Sequence, residues 1–509
     1  MMRITFPRKK VCIKPGAVHL PAGMRPNTPR FSGDGKTIFF AATPPTGGRQ
    51  EIYQIKVDGT GLDCMTCGAS PEITAGLSRV VPFQDDSGRL MIQVGTTPNG
   101  YAVFESDANG KRLVPVVAPP SAARALDPLR EMRISPDGKQ VLFSQIQLGQ
   151  GGNITAVPIV GTLTRTTNAT TGAAEYHVDN AQVVYPVGEG KQWTPDGKSV
   201  IIIGGTYEAG NVDDIAVNLA TGAVSRITAN LEYDEDIDMS PNGQWIAVGS
   251  TRGYHALSPM DRIERPAFLP AYIQGSVYQA YAGTSDGVNV SNQEWAIALE
   301  DELKGENGIP LFVNNDGYTA RSMASWNADG TAVTFWEANP TDSRIVVANL
   351  QYTTSVGPVA ADRSTPDPAQ YTWAHPLATY VPSAAPLPST GSYAGPGGGT
   401  AVVSETPGAT GHTIRTVTYT NYVNSQGMVL NGTESTDSTA SQSTIRYVAD
   451  ITVTGTHTGY LTGDVNINKL TRTITSTDPT NPTPITSSLD GDKQVLLDPT
   501  DIADARANM

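Results

Sequence analysis

The chain has 509 residues with 51 Gly and 37 Pro, only 17% charged residues and a net charge of −14. Such a length exceeds one ordinary core and asks for several domains or a repeat array. The acidic balance argues against nucleic acid, whose phosphates need clustered Lys and Arg, and the longest apolar runs, such as "SVIIIGG" at 199, fall far short of a ~18-residue membrane span.

From the N-terminus, residues 1–24 form a leading segment. "MMRITFPRKKVCIKPG" is basic but has no apolar stretch, so no signal peptide is read there. The cysteines are Cys12, Cys64 and Cys67. A lone C-x-x-C without a second pair or a nearby His is a poor zinc site, and without a βαβ pattern it is no thioredoxin motif. Two disulfides remain open, a turn bridge between Cys64 and Cys67 or a bridge from Cys12 to one of them. Either fits an exported protein.

The dominant feature is a recurring nonapeptide. "SGDGKTIFF" at 32, "SPDGKQVLF" at 135, "TPDGKSVII" at 194, "SPNGQWIAV" at 240 and "NADGTAVTF" at 327 are variants of one turn-and-strand unit, and "QDDSGRLMIQV" is a degenerate sixth. Their glycines, 35, 88, 138, 197, 243 and 330, are 53, 50, 59, 46 and 87 residues apart. A period near fifty made only of strands predicts a β-propeller. The Asp-Gly and Asn-Gly pairs predict type I′ hairpin turns between the first and second strands of each blade. Six turns mean six blades, with a seventh left open by the longest gap. That gap instead reads as a Pro-rich insertion, "HALSPMDRIERPAFLPAYIQGS", followed by the last two strands of the fifth blade at 294–300 and 309–317. The sixth unit lacks a fourth strand, which residues 9–20 are expected to supply, since an open ring would leave exposed edges.

The stretch "FSGDGKTIFFAA…QEIYQIKVDGTGLDCMT" resembles the TolB-type propeller repeat: an aromatic residue, Ser-Pro-Asp-Gly-Lys, an apolar strand, then Ile-Tyr and Asp-Gly. The resemblance covers residues 25–352, although "TARSMASWNADGT" lacks the Pro and the second unit replaces most of the motif. It implies a six-bladed propeller of an exported bacterial protein, hence a secreted or periplasmic location. Relatives of this type serve as protein-binding platforms or resemble polysaccharide lyases and peptidase-associated propellers.

Residues 353–400 are Pro-, Gly- and Ser-rich and read as a linker. Strands resume at 412–423, 427–436, 444–455 and 459–468, an antiparallel β-meander domain over 401–475 with one apolar and one polar face. Four strands make a marginal core, so the meander should dock on the propeller, pair with another copy or cover a ligand. The tail, 476–509, is polar, with "KQVLLDP" available as one edge strand. The predicted fold is therefore all-β, a six-bladed propeller followed by a small antiparallel sheet.

Chemistry in a propeller gathers at the channel mouth. Aligning the turns brings Arg79, Arg130, Glu131, Glu189, Glu235, Asp236 and Arg321 to similar positions just before the innermost strands. The run "EYDEDIDM" at 232 holds five carboxylates in seven residues. Asp234, Glu235 and Asp236 would suit Ca²⁺, a hard cation that takes six to eight oxygens. Alternation sends strand neighbours to opposite sides, however, and pairing with the three Arg is the favoured reading. No H-E-x-x-H motif occurs. His255, near Arg252 and Tyr254, is one candidate proton acceptor for a lyase and His177 another. The function read from the sequence is a non-enzymatic recognition or scaffold protein with a protein or polar carbohydrate partner. A polysaccharide lyase or hydrolase is one alternative. A structural subunit of a surface assembly, self-associating through the C-terminal sheet, is the other.

Overall fold

The computed structural model of the protein describes residues 15–95, 100–150, 154–252, 257–270, 273, 277, 293–311, 318–350, 363–383, 387–439, 443–468, 471, 473–477 and 485–496. Strand β1 (Pro15–Ala17) precedes the first blade, which is β2 (Arg25–Phe31), β3 (Thr37–Thr43), β4 (Glu51–Lys56) and β5 (Asp63–Cys64). The second blade is β6 (Leu77–Pro82), β7 (Leu90–Val94), β8 (Gly100–Asp107) and β9 (Gly110–Val117). The third is β10 (Arg124–Ile134), β11 (Gln140–Leu148), β12 (Ile154–Thr167) and β13 (Ala174–Val183). The fourth is β14 (Glu189–Trp193), β15 (Ser199–Gly205), β16 (Asp213–Asn218) and β17 (Val224–Arg226). The fifth is β18 (Asp234–Met239), β19 (Trp245–Ser250), β20 (Gln293–Ala298) and β21 (Ile309–Pro310). The sixth, β22 (Thr319–Trp326), β23 (Ala332–Ala338) and β24 (Ser343–Asn349), is completed by β1, with Pro15 opposite Ala348. The innermost strands β2, β6, β10, β14, β18 and β22 touch in that order and return to β2, so the ring is closed.

The repeated turn differs from the expected type I′. The residue before the glycine, an Asp or Asn in five turns and Ser87 in the other, keeps negative φ in all six, and the six glycines themselves take φ of 69–73°. In the first blade Gly35 N–H donates to Ser32 O at 2.9 Å, and the Asp34 carboxylate accepts from the Ser32 hydroxyl and from Lys36 N–H. The Ser32 hydroxyl accepts in turn from Thr37 N–H. The same bonds recur at Ser135–Asp137, Thr194–Asp196 and Ser240–Asn242. Ser/Thr-x-Asp/Asn-Gly recurs because its two side chains satisfy the turn's own backbone while only glycine meets the left-handed position.

Cys64 and Cys67 form a disulfide that closes the outer edge of the first blade. Cys12 lies outside the described residues.

Part of the expected linker is strapped onto the ring. β25 (His375–Pro376) pairs with β13, Leu377 is fully buried, and the Trp373 indole N–H donates to Leu219 O. The C-terminal sheet also runs further than 401–475. Its nine strands are β26 (Gly391–Ala394), β27 (Thr400–Pro407), β28 (His412–Val423), β29 (Met428–Thr439), β30 (Thr444–Gly455), β31 (Gly459–Asn468), β32 (Thr473–Ser476), β33 (Ile485–Leu489) and β34 (Asp492–Val495). The glycine-rich "GSYAGPGGGT" that reads as linker is a hairpin here, with Ala394 opposite Thr400.

The apolar face of this sheet is covered by the insertion between β19 and β20. Leu257, Met260, Ile263 and Phe268 share one core with Val417, Leu430, Tyr447 and Leu461. Two features that look unrelated in the sequence, an over-long fifth unit and a meander too thin to stand alone, thus bury each other.

Candidate functional site

The inner strands share an irregularity that no repeat motif announces. Each pairs with the second strand of its blade through a register shift, at Asn27/Arg30, Ser78/Val81, Arg130/Arg133, Gly190/Gln192, Glu235/Asp238 and Arg321/Ser325. In five of them the bulge holds a non-glycine residue at positive φ: Thr28 at 47°, Arg79 at 47°, Glu131 at 55°, Asp236 at 57° and Met323 at 82°. Bulges of this kind re-aim side chains and gather at functional openings. Two residues further along each strand comes a second ring, Arg30, Val81, Arg133, Gln192, Asp238 and Ser325. These six line a cavity of about 150 Å³ at the turn end of the channel.

Charged residues on the inner strands of the second to fifth blades neutralise one another. Arg79 donates to Glu131 at 2.7 Å and Arg130 to Glu189 at 2.8 Å. At the centre stands Lys191, fully buried, with its ammonium 3.1 Å from Glu131, 3.1 Å from Glu189, 2.9 Å from Glu235 and 3.9 Å from Asp236. Burial by itself would raise the Glu131 carboxyl, but Lys191, Arg79, Arg133 and Arg130 together hold it well below the usual range. Burial likewise works against the Lys191 charge, and the surrounding carboxylates overcome it, so its pKa rises. Glu235 is pushed up, since its burial outweighs the one ammonium.

The acidic run of β18 is dispersed rather than convergent. Glu232 accepts from Leu257 N–H, Ser258 N–H and the Ser258 hydroxyl, tying down the insertion. Asp234 is gripped by both oxygens from Arg252. Glu235 and Asp236 face Lys191, while Asp238 accepts from Trp326 N–H and the Gln192 amide. Asp234 is thus held by Arg252 while Glu235 and Asp236 share Lys191, and among the described residues no group of three or more His, Cys, Asp or Glu is arranged to hold a metal.

Of the other sequence candidates, Arg321 lines a second, larger cavity together with Arg79. His177 bonds to Glu175 at 2.7 Å on β13, the outermost strand of its blade and remote from the channel. His255 lies outside the described residues. Sequence reasoning missed Lys191. The available signal was its position two residues after Glu189, which alternation puts on the same side of a strand.

The fold and its channel define an all-β six-bladed propeller carrying a C-terminal antiparallel sheet. No protein-family model matches the chain, and no curated protein matches it. Among solved structures the chain is similar to TolB from Acinetobacter baumannii at 14% identity and a TM-score of 0.34, over 62% of this chain and 65% of that one. An oligogalacturonate lyase in complex with manganese matches at 11% identity and a TM-score of 0.37, over 67% of this chain and 97% of that one. XC5397, a gluconolactonase from Xanthomonas campestris, matches at 14% identity and a TM-score of 0.34, over 67% and 96%. The chain thus spans just under two thirds of the Acinetobacter protein. Among the described residues no helix is long and apolar enough to cross a membrane.

Proposed function

We propose that the protein is an exported, non-catalytic recognition or scaffold protein of TolB type that uses the propeller as its binding platform. The observation that carries this reading is the Lys191 hub. Glu131, Glu189 and Glu235, the carboxylates best positioned for acid–base work at the channel, are committed to one buried ammonium. Charges fixed in this way stiffen a platform and are poorly suited to exchanging protons with a substrate. Export is supported by the Cys64–Cys67 disulfide, since such bonds persist in oxidising compartments. The partner class is a protein or a polar carbohydrate.

Electrophoresis of the native protein through gels containing individual soluble polysaccharides, neutral and acidic, tests the carbohydrate arm. Reducing ends and unsaturated products are assayed in the same mixtures. Retardation by a polymer without new chain ends is the expected result. New chain ends or an unsaturated product, absent with heat-denatured protein, would replace this reading with the lyase or hydrolase alternative.

A further inference from the structure

At the mouth opposite the Asp-Gly turns, a cavity of about 630 Å³ opens between the inner strands of the sixth, first and second blades. Its wall carries three guanidinium groups, from Arg25, Arg79 and Arg321, and no Asp or Glu among its described residues. This is an unusual lining in a chain with 49 acidic and 35 basic residues. Arg25 makes no ion pair among the described residues. Arg79 commits one terminal nitrogen to Glu131 and keeps about a third of its side chain exposed.

A second, independent feature marks the same wall. Thr28, Arg79 and Met323, the left-handed residues of three of the bulged inner strands, all line this cavity. The bulges of the third and fifth blades instead present Glu131 and Asp236 to Lys191. The repeated bulge thus gives the channel mouth one part centred on Lys191 and its carboxylates and another lined by arginine side chains. Backbone strain of this kind is kept where a side chain must be aimed.

We propose that this cavity binds an anionic saccharide, a sugar ring whose carboxylate or phosphate is held by the arginines. Guanidinium forks match the paired oxygens of either group. Trp336 supplies a flat apolar face for the C–H side of a sugar ring, and the amides of Asn27 and Gln50 are suited to its hydroxyls. The proposal rests on the recognition reading above and names its ligand class.

Isothermal titration of the full chain with galacturonic acid, glucose 6-phosphate, galactose and glucose tests it. The two acids separate a carboxylate from a phosphate, and the neutral sugars isolate the charge. Saturable binding of at least one acid and neither neutral sugar is expected, weakening with salt. Arg25→Ala, at an exposed position, should weaken it about tenfold or more while the melting temperature stays within about 2 °C. Trp336→Leu should weaken it as well. Failure of both acids to bind, equal binding of the neutral sugars, or undiminished binding by Arg25→Ala would overturn the proposal and leave the recognition reading intact. Chemical conversion of a bound acid would uphold the site and overturn the non-catalytic reading instead.

Discussion

Arg265, on the insertion of the fifth blade, donates its Nε to Glu434 of β29 at 2.9 Å, with both side chains buried. Glu434 also accepts from the Tyr419 and Tyr447 hydroxyls at 2.7 and 3.0 Å, and Arg265 donates to Met260 O and Ile263 O. One ion pair, satisfied on all sides, therefore sits inside the apolar core that joins the C-terminal sheet to the propeller.

Removing one partner leaves the other charge buried and alone, at a cost of about 3–5 kcal/mol. Glu434→Ala should lower stability by that amount in urea unfolding. Glu434→Gln, which keeps an acceptor for the tyrosines, should cost less. If Glu434→Ala unfolds at the parent midpoint, the pair does not hold the two units together.

The ring was legible because its turns repeat: five near-copies of one nonapeptide fix the period, and the period fixes the blade. The ring-closing strand was legible for a related reason, since a sixth unit short of one strand needs a donor. What stayed hidden depends on contacts far apart in sequence. Nothing local announces that Phe268 packs under the C-terminal sheet, and Gly391–Ala394 is composed like a linker although it pairs as a strand. At the channel, the charged positions were readable from their offsets to the turns. Their partners were not, because Lys191 reaches carboxylates of the third, fourth and fifth blades at once.

Lys191→Met tests that hub. The substitution keeps the length of the side chain and strands Glu131, Glu189 and Glu235 beside one another. A loss of about 3–5 kcal/mol is expected, partly recovered when Glu131→Gln is added, because the two sites are directly coupled. Additive losses in the double variant would show that Lys191 and Glu131 act independently.

Titration behaviour should divide the buried carboxyls into two groups of opposite sign. Burial, reinforced by the neighbouring Asp234, pushes Asp214 well above the usual range, and neither of its oxygens has a hydrogen-bond partner among the described residues. Its contribution to stability is complete below the unfolded value of ~3.9 and is lost as pH rises through the folded one. Asp214→Asn should therefore match the parent in strong acid and gain on it as pH rises, by ~1.4 kcal/mol for each unit of displacement. Glu131, held low by its four cations, contributes above ~4.3 and loses that contribution as pH falls through its folded value. Glu131→Gln should thus be costly at neutral pH, with the gap closing in acid. Urea midpoints of both variants across pH 3–8 decide the matter. Parallel curves for parent and variants would mean that neither carboxyl is displaced.

The strap that follows the ring gives a sharper comparison between two glycines of the same motif. Gly197 and Gly243 have φ of 70° and 71°, so an alanine at either meets the same left-handed backbone cost of roughly 1–2 kcal/mol. Their surroundings differ. A Cβ on Gly243 would find only Met239 Sδ at 3.8 Å, whereas on Gly197 it would lie 2.7 Å from Thr365 Oγ1 and 2.9 Å from Arg363 O. Lys198, next in the chain, donates to Ser364 O, so the strap is held at this turn and cannot simply step aside. Gly243→Ala should therefore show the backbone cost alone. Gly197→Ala should add the displacement of residues 363–365, with a larger fall in melting temperature and earlier proteolysis between the ring and the C-terminal sheet. Equal losses for the two variants, with unchanged cleavage, would mean that the strap does not bear on the fourth blade.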